Sequence, residues 1–232
     1  RLNVPLCMGE GGENNLQWYT YAFPMYERLG IGWCFWAYKK MEVPNSPATF
    51  EMPEGWDRIT AYLDGGERPA PEAAQVIFDR FLNCISHGEY HPEIIRALTR
   101  RPPLEIPAGA YDAEDIQSGR RAGSVFRRTS KATLLFADGH TGEADWRRYG
   151  GEAQPEDQRI LLRLSEGDRV GYRLENPENQ KIRIHVRSYG DGILDVQDLT
   201  AGQGLVWITC KSGTADVESL HIRVADDFAE TI

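Results

Sequence analysis

The hydrophobic period of this chain changes near residue 108, and that change limits what it can fold into more than any other feature. Before it, apolar side chains recur at helical spacing: Leu16, Tyr19, Phe23 and Tyr26 in NNLQWYTYAFPMYERLG, then Ala73, Val76, Ile77, Phe81, Cys84 and Ile85 in PEAAQVIFDRFLNCI. After it they alternate, as in Ile160, Leu162 and Leu164, Val170, Tyr172 and Leu174, Ile182, Ile184 and Val186, and Leu220, Ile222 and Val224. The breaks SEGD, NPEN and YGDG are turn chemistry, and a repeat of roughly 10 to 12 residues suits an all-β sandwich. The pattern predicts alternating strands and helices over residues 1–90, a linker over 91–107 in which Arg96, Arg100 and Arg101 are solvated, and an antiparallel sandwich over 108–232.

With 41% hydrophobic residues in 232, the chain can build one large core or two smaller ones. Its net charge of -9, from 35 acidic against 26 basic residues with no long basic block, disfavours nucleic acid and anionic membrane surfaces as partners. Neutral polymers remain, and sugars are the commonest. No apolar run approaches the roughly 20 residues that span a bilayer, so no membrane insertion is expected. The opening RLNVPLCMG is strand-like from its first residue, and the chain reads as a piece of a longer protein. The four cysteines are widely spaced without a CxxC pair; Cys7, Cys34 and Cys84 read as small buried hydrophobes.

Within the first half, VPLCMGEGGEN is a strand that runs into a carboxylate between glycines. In a parallel α/β barrel, chemistry sits where strands end at the C-terminal rim, and Glu10 takes that place. The next apolar run, IGWCFWAYK, brings Trp33, Phe35, Trp36 and Lys39 to a neighbouring strand end. A carboxylate beside an exposed indole suits a sugar ring, whose C–H face stacks on the aromatic group. The competing reading makes Glu10 an acidic residue at the start of the helix near Asn14. That helix should stop at Gly30, and Pro24 should kink or shorten it.

The stretches VPLCMGE and GWCFWAYKK, in this order and separation, resemble the last quarter of the (β/α)8 barrel of glycoside hydrolase family 5, the cellulase and β-mannanase family. The match covers about residues 1 to 86. The resemblance implies the C-terminal portion of a TIM barrel, its last two βα units, and a retaining mechanism with two glutamates. It places the nucleophile on Glu10 and the floor under the sugar on Trp36, with Lys39 or Lys40 bonding the next sugar and Trp33 close by. Two carboxyl groups about 5 Å apart complete such a reaction, so the chemistry takes no cofactor. The acid/base glutamate of that family ends an earlier strand outside this chain, so these residues alone should hydrolyse nothing. The implied substrate is a β-1,4-linked polysaccharide or oligosaccharide, and the implied location extracellular.

The second half, from AYDAEDIQ to LHIRVADDF, resembles jelly-roll carbohydrate-binding modules of families 6 and 35. That likeness puts a structural calcium on Glu114. Trp146 and Tyr149, in the polar run GEADWRRYGGE, are the expected sugar platforms, with Tyr189 a further candidate, while Trp207 in LVWIT reads as core. Two other readings stand beside the hydrolase: a non-catalytic carbohydrate-binding or structural sandwich, and another enzyme with a rim glutamate acting as base.

Overall fold

A computed structural model describes residues 4–119, 126–127, 129–141, 149–197, 199 and 202–225. The chain begins with a βαβ unit: β1 (Cys7–Gly11), α1 (Leu16–Leu29) and β2 (Gly32–Phe35), the two strands pairing in parallel. Asn15 caps α1 by accepting the Trp18 N–H, and Gly30 ends it in the left-handed conformation that glycine adopts freely. Tyr19, Phe23 and Tyr26 are buried, with Trp33 and Phe35 of β2 packed against them.

Pro24 neither ends nor shortens this helix. Proline has no N–H, so the carbonyl of Thr20, four residues earlier, loses its intrahelical donor. Arg100 fills the vacancy, its Nε and Nη2 donating to the Thr20 carbonyl at 3.0 and 2.9 Å.

The barrel portion expected over residues 1–90 does not form. β1 and β2 make a two-stranded sheet of their own, while β3 (Lys39–Met41), β4 (Ala48–Phe50) and β5 (Glu89–Tyr90) form a separate one. The reason lies in the second aromatic run, which bends after Phe35; its continuation pairs with β4, from the stretch read as a long loop. Between β4 and β5 lie α2 (Trp56–Leu63), which the periodicity did not indicate, and α3 (Pro71–Ser86). On α3 only Ile77 is fully buried; Ala73, Phe81, Cys84 and Ile85 are half-buried and Val76 is exposed, so the expected stripe is covered only in part.

The expected linker is structured. It holds α4 (Pro92–Thr99), whose Ile94, Ala97 and Leu98 join the α1 cluster, and β6 (Leu104–Pro107), which pairs with the last strand. Arg100, expected in solvent, is 3% exposed. Beyond it come β7 (Ala113–Asp115), β8 (Thr133–Phe136), β9 (Ile160–Ser165), β10 (Arg169–Asn176), β11 (Ile182–Gly190), β12 (Ile193–Gln197), β13 (Gly202–Ser212) and β14 (Thr214–Val224).

These strands form two antiparallel sheets, ordered β12-β13-β10-β7 and β11-β14-β9-β8, with β6 beside β14. One core joins their inner faces: Val170, Tyr172, Val206 and Ile208 from the first, Leu134, Leu162, Leu220 and Ile222 from the second. Period-two alternation explains the seam, since every second side chain of a strand faces the same way. Among the described residues no helix is long and apolar enough to cross a membrane.

Arg100 ties the two regions together. It follows α4 in a left-handed conformation, reaches Thr20 of α1, donates to the Ala110 carbonyl at 2.6 Å and pairs with Asp112. Its own carbonyl accepts the Glu175 N–H of β10. A buried guanidinium is tolerable only when its donors are met, and these partners meet them.

Candidate functional site

The parallel register sets Cys7 against Gly32, Met8 against Trp33 and Gly11 against Phe35. Three steps along β1 thus match two along β2, so β1 carries an extra residue at Gly9–Glu10. Such bulges re-aim side chains and recur beside functional sites. Met8, before the bulge, packs toward α1, whereas Glu10 is exposed.

Directly beyond the bulge, the Trp36 N–H donates to the Gly11 carbonyl at 2.7 Å, and the Trp36–Ala37 peptide is cis. Phe35 faces the helix, and Trp36 is 54% exposed. Gly12, at φ +140, lets the loop touch this strand end: a Cβ there would lie 2.5 Å from the Trp36 carbonyl oxygen. Glu10 and Trp36 therefore sit at neighbouring ends of two parallel strands, both exposed. Tyr38, 56% exposed and two residues on, extends the aromatic surface; sequence reasoning passed over it because nothing local separates it from a core tyrosine.

The neighbouring residues divide. Lys40, on β3, forms an ion pair with Glu13 of the loop that follows β1, so it stays close to the rim and Glu13 is engaged. Lys39 turns away and donates to the Ile85 carbonyl at 2.7 Å, where a cation meets the negative end of α3. Trp33 belongs to the α1 core: its ring centroid is 4.7 Å from that of Phe23 and its indole N–H donates to Glu27 at 2.6 Å. Asn15, which caps α1 rather than Glu10, also reaches the Glu152 carbonyl at 3.2 Å and so fastens the rim loop to the sandwich. Cys7 and Cys34 are exposed, and Cys210 is the buried cysteine.

In the sandwich, Tyr149 is 7% exposed and presents no platform; Trp146 lies outside the described residues. Trp207 is on the outer face rather than in the core, lying on Gly171, with the Arg169 guanidinium 4.2 Å above its ring. Tyr189 is exposed and its hydroxyl donates to Glu218 at 2.6 Å.

Glu114 accepts hydrogen bonds from the Ser130 hydroxyl and from the Lys131 and Ala132 N–H groups. Burial alone would raise its pKa, but these donors outweigh burial and hold it below the ordinary value. Calcium takes six to eight oxygen ligands. A carboxylate ringed by hydrogen-bond donors does not fit that coordination, and no group of three or more His, Cys, Asp or Glu is placed to hold a metal among the described residues. No protein-family model, curated protein or solved structure matches this chain.

Proposed function

We propose that the Glu10–Trp36 rim is one side of a glycan site, in which Glu10 is the nucleophile of a retaining β-glycosidase acting on β-1,4-linked polysaccharide. The observation that supports this reading is the parallel strand pair, with exposed Glu10 near the end of one strand and exposed Trp36 just past the end of the other. Trp36 supplies an apolar face for the sugar ring, and Tyr38 lengthens it. Glu10 would attack the anomeric carbon, forming a covalent glycosyl-enzyme as the leaving oxygen takes a proton from a second carboxyl about 5 Å away. Glu13 is held by Lys40, so that second group is not supplied by this loop. The chain by itself then binds β-glucan oligosaccharides without turning them over.

Calorimetric titration with cellotetraose tests the proposal. Binding that is lost in Trp36→Ala and kept in Glu10→Gln, with no reducing sugar released, is the expected result. Binding indifferent to Trp36→Ala would overturn it.

A further inference from the structure

A second concave site, sharing no residue with the rim, lies where α1 meets the edge of the sandwich. It is a cavity of about 350 Å³, within the range of small-molecule pockets. Tyr21, Arg28, Arg100, Tyr111, Glu114 and Arg127 are among the residues that line it.

Three arginines and two acidic residues, Asp112 and Glu114, line this space, an excess of one positive charge in a chain of net charge -9. Both carboxylates are spoken for. Asp112 accepts from Arg100 and from the Arg173 N–H, and Glu114 accepts from Ser130, Lys131 and Ala132. Arg100 is spent on Thr20, Ala110 and Asp112. Arg127 lies 3.8 Å above the Tyr111 ring and donates to the Tyr111 carbonyl at 2.7 Å, so its position is fixed.

Two groups differ from these. Arg28, exposed in the last turn of α1, forms no ion pair among the described residues, and the partly buried Tyr21 hydroxyl forms no hydrogen bond among them. Burial raises the Tyr21 pKa, while Arg127, Arg100 and Arg28 pull it the other way; the net rise keeps the phenol protonated and a donor at neutral pH.

We propose that this cavity binds a single sugar-sized oxyanion, a uronate or a sugar phosphate, with Arg28 and the Tyr21 hydroxyl donating to the charged group. A guanidinium matches the geometry of a carboxylate or phosphate, and a charge-assisted hydrogen bond to a partly buried anion is among the stronger contacts a pocket can offer. The volume admits one ring but no chain, so the site is separate in kind from a polysaccharide cleft.

The test is calorimetry on the whole chain with glucuronate, glucose 6-phosphate, glucose and inorganic phosphate as separate titrants. At least one of the two sugar oxyanions should bind while glucose does not, and the two arms say which oxyanion is preferred. Arg28→Ala and Tyr21→Phe should each weaken binding about tenfold or more, with the thermal midpoint unchanged. Absence of binding by both sugar oxyanions, equal binding of glucose, inorganic phosphate binding as tightly as the sugar phosphate, or affinity unchanged in both variants would each overturn the proposal.

Discussion

The sandwich and the βαβ end of the molecule are built to different standards of burial. Leu162, Leu164, Val170, Tyr172, Ile208 and Leu220 are all 0% exposed, and both sheets contribute to their core. At the other end, the face of β1 and β2 away from α1 is bare, with Cys7 and Cys34 exposed, and Leu6, just before β1, is 62% exposed. On α3, Val76 and Leu82 are 49% and 63% exposed. Parallel strands normally read apolar on both faces because both are covered. Here the composition for double cover is present with cover on one face only. Stability therefore concentrates in the sandwich and in α1, while Glu10 and Trp36 sit on the less supported side, as local stability arguments anticipate for binding segments.

Arg100 offers the sharpest way to break that contrast. Replacing it by Met strands the Asp112 carboxylate and the Thr20 and Ala110 carbonyls, and should destabilise by about 3–5 kcal/mol. Unfolding in denaturant followed by both far-ultraviolet and tryptophan signals should shift together, because this side chain joins the two regions. Next, Leu162→Ala should lower stability by about 2–5 kcal/mol, whereas Leu82→Ala on α3 should stay within about 0.5 kcal/mol. Equal effects would erase the difference between the regions.

Acid should find the sandwich through Asp168, which is 0% exposed. Burial would raise its pKa, but hydrogen bonds from the Ser118 side chain and from the Ser118, Ser165 and Gln117 N–H groups outweigh burial and lower it. A depressed carboxylate pKa gives stability that is present above the unfolded value, about 3.9, and lost as pH falls through the folded one. Denaturation series from pH 7 to pH 2 should show a decline beginning near pH 4 that is flatter in Asp168→Asn.

Pro24→Ala should change stability less than the removal of a helix proline usually does. An interior proline usually costs a helix about 3 kcal/mol; here the carbonyl it frees already has Arg100 as donor. The gain in thermal stability should fall well short of that figure. Millimolar calcium should leave the midpoint of the native chain unmoved, since Glu114 is filled by protein donors.

Much of this was legible in the chain. Alternation marked β9, β10, β11 and β14 because their faces differ in environment, and Gly30 marked the end of α1 because a left-handed stop is a local requirement, while the cap proved to be Asn15 and not Glu10. The strand-end positions of Glu10 and Trp36 followed from where the apolar runs stop. What failed was whatever depended on partners distant in sequence. The broken hydrogen bond at Pro24 could be read, but not that Arg100 would restore it. Basic residues among prolines gave no sign that one of them would be buried. Trp33 and Trp36 sit in one aromatic run, and only pairing shows that the first meets Phe23 and the second meets solvent. The short helix α2 escaped because its eight residues bury only Ile59.

If the proposed glycan site is right, Trp36 faces the sugar and Trp33 does not. Indole N–H resonances assigned by single Trp→Phe variants and followed during titration with cellotetraose test it most directly. A shift of the Trp36 signal, with the Trp33 signal unmoved in its bond to Glu27, is the expected outcome. A Trp36 signal that stays still while Trp207 or no indole responds would contradict it.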